Sequence, residues 1–297
     1  MRTIFLTHLK AIVLFFLWSA FAANVLLAQS VNYFPDLSSS YIYAMSSADP
    51  AYVPTEGRAD FAANYKFRTG AFKDISTFNF SAARIIRHEN ESAQQVVRVL
   101  LNNEQEGPYI NTPKLLVNYV YSLYIAENTQ LFSGLALGGT GLYFSAPSAT
   151  TSILMPDGTL GLGISHRKAS LAFSSFQLFN SKINPLLSTI RFARYYHLNF
   201  TAQKELGIDW KLNMYSLWRM LPDVQDEVSA TFILEYMDAL GLGSAYKNNA
   251  GLSFLCMFRV NTGEDKLLFS FVYNTPVFSP LPKINNSMEL CVGYLFQ

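Results

Sequence analysis

Ser287-Met-Glu-Leu-Cys-Val-Gly-Tyr-Leu-Phe296, with only Gln297 behind it, reads as one extended strand. Met288, Leu290, Val292, Tyr294 and Phe296 fall on one side of such a chain, and Glu289, Cys291 and Gly293 fall on the other. A strand that closes the chain in this way leaves an open, sticky edge unless it finds a partner. Pairing with the first strand of the same chain removes the edge and makes a barrel. The decisive expectation is therefore a closed, all-β, antiparallel barrel in which 287–296 is the last stave.

The ending also resembles the terminal insertion signal of bacterial outer-membrane barrels, with Tyr294 and Phe296 as its aromatic pair and barrel-closing signal. Composition points the same way. Half of the 297 residues are hydrophobic, 15% are aromatic and only 14% are charged, whereas an average soluble domain has about 25% charged residues. Beyond the N-terminus there is no apolar run of roughly 18 residues that would form a membrane helix. Hydrophobicity without helical spans fits a transmembrane β-barrel, in which alternate residues meet lipid. A net charge of +1 gives no electrostatic reason to expect a nucleic-acid partner.

Working outward from the last strand, roughly fourteen extended segments are expected, an even number as bacterial single-chain barrels require. They lie at 58–68, 74–86, 93–102, 114–126, 130–144, 158–166, 168–178, 192–204, 209–220, 227–236, 239–247, 250–260, 266–274 and 287–296. Alternation is clearest at 115–125, 195–204 and 210–219, where Tyr119, Tyr121, Tyr196, Trp210 and Trp218 share the presumed outer face. Aromatics on that face suit a membrane girdle. Short links such as Asn128-Thr129 alternate with longer stretches at Asn102–Pro113, Ser145–Asp157, Phe179–Arg191 and Thr275–Asn286, which are expected to be loops. Cys256 and Cys291 fall on strands separated by a third and point to opposite faces, so free thiols are expected.

The N-terminus differs in kind. Arg2 and Lys10 flank the apolar stretch Ala11–Phe21, and small residues follow, so 1–28 reads as a signal peptide cleaved after Ala22 or Ala28. Residues 29–57 contain Pro35, Pro50 and Pro54 among scattered aromatics. They are too apolar for a free linker and are expected to pack in or against the barrel as a small plug, leaving 58–297 as the barrel itself.

No motif for chemistry survives its context. Gly134–Gly141 and the Gly-Leu-Gly units at 161–163 and 241–243 lack the Lys-Ser/Thr and the helix of a phosphate loop. Glycines inside strands mark curvature or close backbone approach instead. His88, His166 and His197 have no second ligand at metal spacing, and no cofactor is expected. Asp60, Arg84, Arg194, Glu235, Arg259 and Glu289 fall on presumed inward positions as candidates for a lumenal polar network.

In order along the chain, several pieces resemble the PorP/SprF family of outer-membrane proteins, which is tied to type IX secretion and gliding in the Bacteroidota. They are Asp49-Pro50-Ala51-Tyr52 with Gly57-Arg58 and Asn64-Tyr65-Lys66, then Leu101-Asn102-Asn103, Gly107 and Val117–Tyr121. Phe132–Gly139, Pro156-Asp157-Gly158 with Gly161-Leu162-Gly163, Phe176–Asn180, Arg194-Tyr195-Tyr196, Phe271–Asn274 and Met288-Glu289-Leu290 follow. Asp49, Met288 and Asn274 depart from the family's usual Asn, His and Asp. The resemblance implies a non-enzymatic outer-membrane accessory protein that supports secretion or cell-surface attachment of a type IX-secreted partner, with periplasmic secretion or motility components as further partners. Two other readings stay open: a passive porin or hydrophobic-solute channel, and an outer-membrane hydrolase built on His197.

Overall fold

The computed structural model describes residues 31–54, 56–87, 93–146, 149–184, 189–248, 250–276 and 286–297. The expected signal peptide, 1–28, and residues 29–30 of the expected plug lie outside them. In chain order the strands are β1 Val31–Tyr33, β2 Ala59–Arg68, β3 Ile75–Arg87, β4 Ala93–Glu106, β5 Ile110–Ala126, β6 Thr129–Ala146, β7 Ala149–His166, β8 Ala169–Phe176, β9 Lys182–Ile183 and β10 Ile190–Phe192. They continue with β11 Tyr195–Glu205, β12 Trp210–Met220, β13 Glu227–Tyr236, β14 Leu240–Lys247, β15 Gly251–Thr262, β16 Asp265–Thr275 and β17 Ser287–Phe296. Fourteen of these close into one antiparallel barrel, while β1, β10 and β9 make a small separate sheet. Each expected segment falls on one barrel strand.

Closure follows from the last strand. β17 pairs with β16 on one side and β2 on the other, with Leu290 opposite Tyr65 and Phe296 opposite Ala59. Its alternation is now physical: Leu290 is 50% exposed and Val292 44%, whereas Glu289 is 0% and Cys291 2%. The same rule runs through β5, where Leu115, Val117, Tyr119, Tyr121, Leu123 and Ile125 are exposed and Leu116, Asn118, Val120 and Ser122 are buried. A wall that turns leucine and tyrosine outward and asparagine and serine inward is made for lipid outside and a polar lumen inside. Cys256 and Cys291 are free, on strands separated by β16.

Phe296 joins this wall through its ring, 5.8 Å from Phe61 across the seam and 4.5 Å from Tyr294. Removing two such aromatic contacts costs about 1–3 kcal/mol. Phe296→Ala should therefore lower the heat-modifiable, folded fraction in the outer membrane; an unchanged fraction would take Phe296 out of the closing signal.

Two expected loops are corrected. Residues 102–106 and 110–113 continue β4 and β5, and 145–146 and 149–157 continue β6 and β7, with Glu104 paired to Thr112 and Tyr143 to Ser152. Gly107, at φ +74°, permits the tight reversal between β4 and β5. Leu142 and Met155, on the inner side of the second overhang, are buried against Ile183 and Phe192. That small apolar core gives the overhang something to pack on, so the chain stays extended there. Tight turns join β5–β6, β7–β8 and β15–β16 at the end where Phe296 lies, and the overhangs and longer links occupy the other. Barrels inserted from the periplasm keep short turns on that side, which makes the overhang end external.

The N-terminal segment crosses the lumen between these ends. β1 runs parallel to β10 in the external sheet, and the chain then descends until Arg58 donates its N–H to the Phe296 carbonyl at 2.6 Å. Between them lie two 3-10 turns, Ser39–Tyr43 and Met45–Ser47. Leu37, Tyr41, Ile42, Met45 and Ala48 pack against Leu217, Ile233, Ala245, Leu255 and Val272 of β12–β16. The apolar character of the segment is thus matched by an apolar strip on the inner wall.

Candidate functional site: the lumen and its internal segment

Two sets of polar contacts hold the internal segment, and each is built from inward residues of several strands. The first centres on Glu289. Its Oε1 accepts the Ser39 N–H at 2.9 Å and the Asn274 amide at 2.9 Å, and its Oε2 accepts the Ser40 N–H at 2.7 Å. A carboxylate facing the free N–H groups that open a helical turn satisfies donors which no other backbone group can reach. Lys66 stands 3.9 Å from Glu289 and 2.7 Å from Asp36. Asn64 accepts from the Ser38 hydroxyl at 2.8 Å and donates to that of Ser40. Lys247 donates to the Leu37 carbonyl at 3.0 Å. Arg219 donates to the Pro35 carbonyl, bonds Glu227 at 2.8 Å and lies 4.8 Å over the Tyr195 ring.

The second set holds Ala48-Asp49-Pro50-Ala51-Tyr52. Asp49 bends the chain by accepting the Ala51 N–H at 2.9 Å and also accepts from Ser174 at 3.2 Å. Asn118 donates to the Pro50 carbonyl at 2.9 Å, and Arg98 donates to both Asn118 and the Tyr52 carbonyl at 3.1 Å. The fit depends on two glycines directly opposite each other, Gly134 on β6 and Gly161 on β7. A Cβ at Gly134 would lie 2.1 Å from the Pro50 carbonyl oxygen, and one at Gly161 would lie 2.9 Å from the Ala51 nitrogen. They form a notch that admits the segment's backbone, the close approach expected of strand glycines. Many residues carrying the family resemblance meet here: Asp49, Pro50, Ala51, Asn64, Lys66, Asn118, Gly134, Gly161 and Glu289 all bind or accommodate the internal segment.

The sequence-derived candidates do not form one network. Glu289 belongs to the first clasp. Glu235 and Arg259 face inward and stand 3.6 Å apart near the periplasmic end, where Arg259 also donates to the Asp238 carbonyl at 3.0 Å. Asp60 is on the inner face of β2, alternating with exposed Phe61. Arg84 is corrected: it is exposed on the side of β3 that carries Phe78, because Ala83 and Ile85 take the buried places. Near the end of its strand its long stem can reach the head-group region. Arg194 is corrected as well, since it precedes β11 and bonds the Leu178 carbonyl and Asn180 of the external link. Sequence reasoning missed Arg98, Asn118 and the pairing of Gly134 with Gly161; a lone Arg in Val-Val-Arg-Val-Leu and a lone Asn in Val-Asn-Tyr-Val were the available signals.

His197 binds the internal segment. A carbonyl only accepts, so its Nδ1–H donates to Ala48 O at 3.0 Å, beside Asn199, which donates to the same oxygen at 3.0 Å. Its ring packs 4.3 Å from Phe176 and 5.3 Å from Tyr195. Among the described residues no group of three His, Cys, Asp or Glu is placed to hold a metal ion.

In fold the barrel is similar to solved outer-membrane proteins. The Ralstonia pickettii toluene transporter TbuX superposes with a TM-score of 0.60 at 8% identity, over 91% of this chain and 96% of that one. The Pseudomonas putida toluene transporter TodX gives 0.55 at 8% identity, over 90% and 94%. The Acinetobacter baumannii outer membrane protein Omp33 gives 0.52 at 8% identity, over 81% and 99%. At such identities the likeness is one of fold, and with the lipid-facing wall it makes this chain an outer-membrane β-barrel. No curated protein matches the sequence. The family described as type IX secretion system membrane protein PorP/SprF matches residues 32–294, the span that holds the barrel, the internal segment and both clasps, and the chain belongs to the PorP/SprF family.

Proposed function

We propose that this barrel is a non-enzymatic accessory protein of type IX secretion that supports the secretion or surface attachment of a partner protein, with recognition at its external end. The observation that carries this reading is the internal segment. A lumen crossed from end to end by the chain's own residues, clasped at Glu289 and again at Pro50, has no room for a folded cargo. The external end, by contrast, is a built surface: β1, β9 and β10 rest on the overhang through Leu142, Met155, Ile183 and Phe192. Loops on a rigid scaffold commonly carry recognition. The large apolar side chains Phe179 and Val224 stand exposed on the external links, at 52% and 51%.

Phe179→Ser with Val224→Ser should leave the folded barrel at its normal level and reduce the amount of type IX-secreted protein held at the cell surface, read by surface proteolysis and quantitative mass spectrometry of whole cells. Unchanged retention would count against recognition at these links. A hydrophobic-solute channel is the second reading, favoured by the fold shared with TbuX. Solute uptake that depends on this protein, with surface retention untouched by its deletion, would favour it.

A further inference from the structure

Two separate spaces lie in the lumen among the described residues. The one nearer the external end is about 90 Å³ and is lined by Asp36, Lys114, Thr159, Phe176, His197 and Arg219. The other is about 600 Å³, lies at the periplasmic end and is lined by Tyr52, Phe132, Asn199, Thr201, Asn213 and Tyr215. His197 and Asn199 are alternate inward residues of β11, so one faces the first space and the other faces the second. Both donate to the same oxygen, Ala48 O, at 3.0 Å. The carbonyl of Ala48 therefore lies at the boundary, and the Asp49–Ala51 bend in the Gly134/Gly161 notch completes the barrier.

Both sides of the barrier carry unused hydrogen-bonding capacity. His197 Nε2, Arg219 Nε and Thr159 Oγ1, on residues that line the first space, and Asn199 Oδ1, on a residue that lines the second, have no partner and are themselves covered by neighbouring atoms. All four belong to side chains at least 97% buried. Uncovered by movement of the bend, an imidazole acceptor, a guanidinium donor and a hydroxyl together suit water or a small uncharged hydroxylated or amide solute, which can both give and accept hydrogen bonds. The charged side chains that line it each have an opposite partner, Arg219 with Glu227, Lys114 with Asp157 and Asp36 with Lys66, so the space is not walled by one sign of charge.

We propose that the barrel is a latent conduit for water and small uncharged polar solutes, closed by the Ala48–Ala51 bend and opened when that bend leaves its notch. This goes beyond partner recognition and is separable from it. The bend is held to the wall by a few hydrogen bonds and by two glycines, contacts that can be broken while the strands keep theirs.

The test measures swelling of liposomes containing purified full-length protein, with glycerol and urea as permeants. Wild type should be nearly impermeable. Gly134→Ala places a methyl group against Pro50, and the paired change His197→Leu with Asn199→Leu removes both donors to Ala48 O. Each should raise the swelling rate by roughly tenfold, the shift in a closed–open equilibrium that loss of one or two hydrogen bonds gives. Gly134→Ala adds volume inside the lumen, so a fixed narrow pore would conduct less, and the sign alone separates the two cases. Folded state is read in parallel by heat-modifiable migration, and the leucine pair decides the matter if the alanine variant does not assemble. Folded variants as impermeable as wild type, or a wild type that is already freely permeable, would overturn the proposal. Surface retention of secreted protein is read separately, so failure here leaves the recognition reading standing.

Discussion

Glu289→Leu should release the internal segment while the barrel wall stays closed. The carboxylate is fully buried and accepts from two backbone N–H groups and one amide, with Lys66 within 3.9 Å. Leucine removes every acceptor at once and leaves the Ser39 and Ser40 N–H groups, and part of the Lys66 charge, without compensation. Removing one member of such a buried charged set typically costs about 3–5 kcal/mol. The strand ladder around position 289 uses backbone groups and is untouched, so the loss falls on the clasp. Limited proteolysis of the detergent-purified barrel should then cut within residues 31–57, sites protected in wild type, and the urea midpoint should fall. Glu289→Gln, which keeps one acceptor oxygen, should sit between the two. If Glu289→Leu protects the segment as well as wild type does, Glu289 is not its clasp.

The next residue along makes the opposite demand. Leu290 is 50% exposed on the outer face of β17, opposite Tyr65 on β2 and Phe271 on β16. It lies mid-strand, and arginine on a lipid face near the bilayer midplane costs about 2–4 kcal/mol. Leu290→Arg should therefore shift folding into lipid vesicles to markedly lower urea concentrations and cut the folded outer-membrane fraction several-fold, while the internal segment of the remaining folded protein stays protected. Two neighbours with separable defects, one of the clasp and one of the wall, would be hard to obtain from a soluble β-sandwich. If Leu290→Arg folds as well as wild type, that face does not meet lipid.

The wall was legible because its physics is local. Alternation of Leu115, Val117, Tyr119 and Tyr121 with Asn118 and Ser122 is visible in ten residues and needs no knowledge of distant chain. The second overhang was not legible, because residues 149–157 are held extended by the β6–β7 ladder together with packing of Leu142 and Met155 on Ile183 and Phe192, more than twenty-five residues away. Arg84 was misplaced for a related reason. A charge was read as inward by preference, but the strand's two-residue period gives the inner places to Ala83 and Ile85, and a terminal arginine can look outward at little cost. The clasps lay between these cases. Glu289 was read as an inward charge, whereas Arg98 and Asn118 were only lone polar residues on otherwise apolar strands, and their common target, a segment with no period of its own, could be found only in three dimensions.

The path of the internal segment constrains the order in which the molecule can be made. The segment starts in the external sheet with β1 and ends at β2, which forms one side of the β17–β2 seam. Drawing an extended chain through a finished bore would mean breaking and remaking each clasp in turn. Laying it along the inner face of β12–β16 while the sheet is still an open trough requires none of that. Zipping the seam is then the step that encloses it, so the same contacts that fill the lumen also act as a template on which the sheet curls. Glu289 sits on the seam strand and grips the segment, and in this sequence of events it is the residue through which closing the wall and capturing its contents become a single event.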